Sequence, residues 1–217
     1  MKNYFKATWR NLWKNRGFSA LNVSGLAVGV ASAALIFLWV EDELTFDHNV
    51  SKRRHIYRLM EHETHDGVIN TFGSMPGPMS VTLPSEITGI KNSSRWSGES
   101  SPVLFTFDNK ALYEKGQYVD STFFSLINTV FIYGDPETAL DNPHDLVISE
   151  RMALKFFGTT DVVGKSLKMD TDKLFTITGV TQNPQANSSF QGEWFARYDI
   201  LVRRFDWLQR WDAKAAP

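Results

Sequence analysis

The sequence predicts an α+β extracytoplasmic domain carried on a single N-terminal transmembrane helix, with an amphipathic interfacial helix ahead of that span. Three observations carry the prediction. Residues 21–40 (LNVSGLAVGVASAALIFLWV) contain no formal charge, and as an α-helix rising about 1.5 Å per residue this run spans roughly 30 Å, the thickness of a bilayer's hydrocarbon core. The flanks differ in charge: residues 1–20 carry Lys2, Lys6, Arg10, Lys14 and Arg16 with no acid, whereas Glu41, Asp42, Glu43 and Asp47 follow the run. The positive-inside rule then keeps residues 1–20 in the cytoplasm and places residues 41–217 outside. That remainder holds short strand-period and helix-period segments with no internal repeat, and is long enough for a sizeable core.

Taken in order, the leader comes first. Phe5, Trp9, Leu12, Trp13 and Arg16 recur at helical spacing, and Lys2, Lys6, Arg10 and Lys14 recur every four residues. Phe5, Lys6, Trp9, Arg10, Trp13 and Lys14 thus define a helix lying at the membrane surface, aromatics toward lipid and cations toward anionic headgroups. A soluble helix packing its aromatics on protein is the alternative. Asn15-Arg16-Gly17 is the expected elbow into the span. Two other readings of residues 21–40 are weaker. Ala31-Ser32-Ala33 imitates a signal-peptide cleavage site, but apolar residues continue from Ala34 to Val40. A core helix of a soluble protein rarely lacks charge over this length. Gly25, Gly29 and Ala33 share one face, where a second transmembrane helix can approach closely.

The exterior follows. Residues 41–54 continue the helix and then cap it. His55–Glu63 alternates as a strand, and Asp66-Gly67 turns it into a second strand over Val68–Phe72. Prolines at 76, 78 and 84 punctuate a short helix over Met79–Ile87, and residues 91–102 have no assignable element. Strands are expected at Pro102–Phe107, Ala111–Val119 and Val130–Tyr133, with a short helix over Ser121–Ile127. Leu146–Ile148 reads as a brief buried strand. Ser149 caps a helix over Glu150–Phe157, which Gly158 ends in the left-handed conformation. Strands over Ser166–Met169 and Leu174–Val180 complete the assignable elements. The tail, with Trp194, Phe195, Trp207 and Trp211 among charges, is unassigned.

Composition excludes several classes. There is no cysteine, so neither a disulfide framework nor thiol chemistry is available. With a total charge of −1 and a basic leader, the exterior is net acidic, which argues against nucleic acid. Three catalytic-looking patterns fail on spacing. GTTDVVGKS (158–166) puts five residues between its glycines where a P-loop needs four, follows a helix, and lies on the side of the membrane without ATP. His62-Glu63-Thr64-His65 is one residue short of the i, i+4 histidines of a zincin. His55, Glu61, His62, His65 and Asp66 could still assemble a metal site, but exposed polar residues near a turn explain them better. No G-x-S-x-G or S-x-x-K occurs. No enzymatic activity, metal or cofactor is expected.

Residues 131–183 carry a family resemblance. Gly134-Asp135-Pro136, Ala139-Leu140, Pro143, Val147-Ile148-Ser149-Glu150, Ala153, Phe157-Gly158, Val163-Gly164-Lys165 and Gly179-Val180, in that order and spacing, resemble the MacB-like periplasmic core domain of FtsX/MacB-type ABC transporter permeases. The basic aromatic leader with Asn15-Arg16, the span, Phe46-Asp47 and Ile56-Tyr57-Arg58 are similar too. Physically, the residues in this pattern are structural. Gly134-Asp135-Pro136 is a turn with Pro136 preset for a helical start, Ser149 and Glu150 open a helix, Gly158 ends it, and Gly164 supplies an unusual backbone angle. Gly179 closes the pattern.

The resemblance implies residence in the plasma (inner) membrane and a cytoplasmic ABC ATPase subunit as partner. ATP hydrolysis there drives four transmembrane helices, whose motion reaches the extracytoplasmic domain for export, antimicrobial peptides included, or for regulating envelope machinery. Further partners it implies are membrane lipid, the remaining permease spans or a second permease half, and an extracytoplasmic protein or peptide. This sequence departs from the pattern, because nothing after Val40 is apolar enough to cross a bilayer. The expectation is therefore the front part of a permease, as a fragment or a split-gene product: residues 1–20 a cytoplasmic amphipathic helix, 21–40 the span, 41–217 the core domain. A stand-alone, single-span binding or sensor domain is the alternative, and an envelope enzyme the third.

Overall fold

The structure is a computed structural model that describes Arg10, residues 13–48, Val50, and residues 52–98, 102–170 and 173–210. The chain divides into two compact units, Met1–Phe46 and Asp47–Pro217.

The first unit is dominated by α1 (Arg16–Thr45), none of whose residues is buried. Over Arg16–Leu44 it is long and apolar enough to cross a membrane. Arg16 and Gly17 are already helical and the Ser19 amide donates to the Asn15 carbonyl at 2.9 Å. The elbow expected over three residues is thus confined to Asn15.

In the second unit a 3₁₀ turn (Arg53–His55) leads into a hairpin of β1 (Glu61–His65) and β2 (Val68–Phe72). Asp66 and Gly67 both have positive φ, 50° and 78°, the signature of a tight hairpin turn. The strand expected from His55 begins only at Glu61, because no strand among the described residues lies opposite 56–60 to pair with them. After α2 (Met79–Glu86), an eight-stranded mixed sheet takes over. Its strands are β3 (Val103–Phe107), β4 (Lys110–Glu114), β5 (Gly116–Val119), β6 (Phe131–Tyr133), β7 (Asp145–Ser149), β8 (Ser166–Met169), β9 (Lys173–Thr181) and β10 (Trp194–Arg197). The order is β4-β3-β8-β9-β7-β10-β5, with β6 also on β9; β7 runs parallel to β9 and β10 parallel to β5.

The sheet is covered on both faces, which is why β7 is buried at every residue. Leu146 and Ile148 pack with Met152, Ala153 and Phe156 of α4 (Glu150–Phe157). Val147, one residue between them, packs on the other face with Phe123, Phe124 and Ile127 of α3 (Phe123–Ile127). The period of two thus splits the core into two layers. A short α5 (Asp199–Arg204) and a 3₁₀ turn (Asp206–Gln209) close the described chain.

Two sequence expectations are corrected here. Residues 111–119 form two strands, since the chain switches partner at Lys115: β4 pairs with β3 and β5 with β10. The switch occurs against Gly116, where a Cβ would lie 2.3 Å from the Trp194 indole, so only glycine lets the strands cross. Pro136 begins a run of turns over 136–140 and no helix, because the segment is fastened to the sheet: Thr178 Oγ1 donates to the Ala139 carbonyl at 2.5 Å.

Candidate functional site

A cleft of about 300 Å³ opens in the second unit between α2, the 92–95 segment, the β5–α3 turn and the β10–α5 turn. Arg95 is its hub. Its Nε lies 3.1 Å from both carboxylate oxygens of Asp120 and its Nη2 lies 2.8 Å from Oδ1, a fork geometry that suits guanidinium and carboxylate. The Arg95 amide donates to Asp120 Oδ2 at 2.7 Å as well. The guanidinium stacks 4.5 Å from the Tyr198 ring centroid. Asp199 joins the group, 3.7 Å from Arg95 and bonded to Arg197, whose Nη1 donates to the Asp141 carbonyl at 2.6 Å.

Burial works to lower the Arg95 pKa, and the hydrogen bond and charge of Asp120, together with the charges of Tyr198 and Asp199, more than offset it. Burial also pushes the Tyr198 hydroxyl up, against the pull of Arg95. Two cations and two acids therefore sit partly desolvated at the cleft with no net charge. Ser80, Asn92, Ser121 and Thr122 add polar groups and Val81 and Pro84 an apolar wall. Among the described residues that line it, no nucleophile is paired with a base. Among the described residues no three of His, Cys, Asp or Glu are grouped to hold a metal ion.

A second polar joint lies at the start of this unit. The Asp47 carboxylate accepts from Ser188 Oγ (3.1 Å), Ser189 N (2.8 Å) and Ser189 Oγ (2.6 Å), and the Asp47 amide donates to Asn187 at 3.0 Å. Asp47 itself has φ 53°. The chain that follows α1 is thereby fixed to the loop joining β9 and β10.

The residues singled out from sequence fall elsewhere. Phe5, Lys6 and Trp9 of the interfacial helix lie outside the described residues, while Arg10, Trp13 and Lys14 are helical and exposed. Gly25, Gly29 and Ala33 are exposed on α1, with open space beside both glycines. Gly134 (φ 87°) presses on the backbone of β9, where a Cβ would lie 2.4 Å from the Thr178 oxygen and 2.9 Å from Gly179. Asp135 accepts from the Glu137 amide at 2.9 Å. Ser149 Oγ accepts from the Met152 amide at 3.0 Å, and Glu150 takes a hydrogen bond from Asn183 at 3.2 Å. Gly158 ends α4 at φ 72°. The amides of Gly164 and Lys165 are spent on the Ile177 and Val162 carbonyls (2.7 and 3.0 Å) and the Lys165 amine lies over the Phe157 ring, so the P-loop-like stretch has no cradle for phosphate. None of these residues lines the cleft. The sequence offers no signal for the cleft, because Arg95, Asp120 and Tyr198 are far apart in the chain, with Arg95 in an unassignable stretch and Tyr198 in the tail.

Residues 19–215 match the family described as the MacB-like periplasmic core domain. Among solved structures, the chain is similar to a domain of a protein described as a permease from Porphyromonas gingivalis, with 25% identity and a TM-score of 0.59 over 67% of this chain. This chain spans 61% of that structure's length. The periplasmic region of MacB from Actinobacillus actinomycetemcomitans aligns at 13% identity and TM-score 0.49, covering 68% of this chain and 67% of that one. The extracellular domain of the noncanonic ABC-type transporter YknZ from Gram-positive bacteria aligns at 16% identity and TM-score 0.46, covering 61% and 67%. No curated protein matches the chain.

Proposed function

The chain belongs to the family of MacB-like periplasmic core domains found in ABC-type transporter permeases, and on that premise we propose that it is a permease component whose extracytoplasmic domain is moved by ATP hydrolysis in a partner subunit. The observation that carries this reading is the succession of α1, apolar over a bilayer's thickness, and a family domain matched over residues 19–215. In this account α1 crosses the plasma (inner) membrane over residues 21–40 with residues 1–20 in the cytoplasm, and residues 41–217 form the extracytoplasmic domain. The basic leader rests on anionic lipid.

The Gly25/Gly29/Ala33 face packs against another span, from the remaining permease helices or a second permease half. A cytoplasmic ABC ATPase subunit supplies the motion, for export or for mechanical signalling across the envelope. The cleft around Arg95 engages an extracytoplasmic protein or peptide, and no catalytic step or cofactor enters.

Affinity purification from membranes tests the coupling. An ABC ATPase subunit is expected to co-purify with the chain when the remaining permease spans are co-expressed, and to be lost without them. Equal recovery with and without those spans contradicts the reading. Absence of any ATPase in both conditions supports a stand-alone, single-span binding or sensor domain.

A further inference from the structure

Asp47 is the first residue of the second unit, directly after Phe46, which ends the first. A force that reaches this unit along the chain from α1 therefore enters at Asp47. Two side chains tie this entry point to the rest of the unit. The Asp47 carboxylate holds Ser188 and Ser189 of the β9–β10 loop. The Lys52 amine donates to the Ser125 carbonyl of α3 at 3.0 Å. Both ties lead to the cleft around Arg95.

The first tie runs through the loop. The Phe190 amide donates to Ser188 Oγ at 3.3 Å, and the Phe190 ring packs edge-on against Trp96 (5.3 Å between centroids) and Phe123 (5.5 Å). Trp96 follows Arg95 in the chain and bridges Val119, the neighbour of Asp120. The loop is braced from within, because the Gln191 carboxamide donates to the carbonyls of Gln185 (2.8 Å), Ala186 (2.9 Å) and Ser188 (3.2 Å). The second tie runs through α3. Ser125 Oγ donates to the Thr122 carbonyl at 2.8 Å, and Thr122 Oγ1 donates to the Ser93 carbonyl at 2.8 Å. Ser93, Arg95, Asp120 and Thr122 all line the cleft. Close-packed interiors transmit strain, so two routes from one stretch of chain converge on one site.

We infer that Asp47 and Lys52 regulate the cleft: they are positioning residues through which the chain leaving α1 sets the placement of the Arg95 segment and of the β5–α3 turn. A displacement at residue 47 then changes how the cleft receives an extracytoplasmic protein or peptide. The inference rests on the reading of the chain as a permease component whose domain is moved. The coupling itself is a property of the domain, so its test needs no ATPase.

Coupling between two places is reciprocal, and hydrogen exchange of the full chain in nanodiscs, followed by mass spectrometry, reads it from both ends. Asp47→Gly removes the carboxylate, and glycine keeps the φ of 53° without strain. Exchange should rise at least about tenfold over 185–191 and, beyond the loop, over 92–97, with β7 unchanged. Asp47→Asn keeps an acceptor for Ser188 and Ser189 and tolerates the same φ, so it should hold 92–97 within about threefold of the parent. From the other end, Asp120→Asn loosens the grip on Arg95 and should raise exchange over 185–191 at least about threefold. Lys52→Met, at an exposed position, should do the same over 121–127. Asn183→Ala is the control: it frees the same loop from α4, where Asn183 Oδ1 accepts from the Arg151 amide at 2.8 Å, and should leave 92–97 unchanged. An unchanged 92–97 in Asp47→Gly, an equal rise there in Asn183→Ala, no response to Asp120→Asn or Lys52→Met, or a rise that includes β7 would each overturn the inference. An ATPase recovered as expected alongside any of these faults the coupling and leaves the permease reading standing.

Discussion

Trp194→Ala removes most of the domain's stability. Trp194 is fully buried on β10, with Phe105 and Tyr118 at 5.6 and 5.1 Å between ring centroids. Its indole rests on Gly116, a close approach that only a glycine permits, and its Nε1 donates to the Glu114 carbonyl at 2.9 Å. Truncation to alanine leaves a cavity in a core that cannot collapse around it, at about 3–5 kcal/mol. Loss of the indole's hydrogen bond to the Glu114 carbonyl adds about 0.5–1.5 kcal/mol. Against a typical total of about 5–15 kcal/mol, the loss approaches complete unfolding. Urea denaturation of the full chain in detergent, followed by circular dichroism, reads it directly. A change below about 1 kcal/mol would mean that the indole is not the keystone of the β5–β10 contact.

Gly134→Ala is expected to be nearly as damaging, for a different reason. At φ 87° an L-residue is strained by about 1–2 kcal/mol. The added methyl would also lie 2.4 Å from the Thr178 carbonyl oxygen, which belongs to the backbone of β9 and cannot rotate aside. Overlap of that kind adds about 1–3 kcal/mol. Gly158→Ala is the internal comparison: its φ is 72°, but nothing lies within 4 Å of the new methyl, so only the first cost of about 1–2 kcal/mol applies. Denaturation midpoints should rank the parent above Gly158→Ala and Gly158→Ala above Gly134→Ala. Equal midpoints for the two variants would show that the contact with β9 yields.

The elements that the sequence delimits well are those with local punctuation. β2 begins after Asp66-Gly67, α4 runs between the Ser149 cap and Gly158, and β8 spans Ser166–Met169, all as expected from sequence. The family resemblance is legible in the ordered run from Gly134 to Val180, whose turns and caps are local: Gly134 has φ 87°, Ser149 caps α4 and Gly158 ends it. The elements that sequence misses lack such signals. β10 (WFAR) is buried on both faces and therefore shows no alternation. The β4–β5 break depends on Trp194, some eighty residues away in sequence. The cleft is the extreme case: Arg95 is one polar residue in a stretch with no period, and its meaning comes from Asp120, Tyr198 and Asp199, which only the fold brings beside it.

Sidedness is the claim on which the functional account depends most, and labelling measures it most directly. The chain's lack of cysteine allows Lys14→Cys, ahead of α1, and Tyr113→Cys, exposed on β4, to be probed one at a time in intact cells with a membrane-impermeant maleimide. The account predicts that Tyr113→Cys is labelled from outside the plasma membrane once any outer barrier is opened, and that Lys14→Cys reacts only after the membrane itself is permeabilised. Labelling of Lys14→Cys in intact cells with protection of Tyr113→Cys would place the bulk of the chain in the cytoplasm and contradict the account.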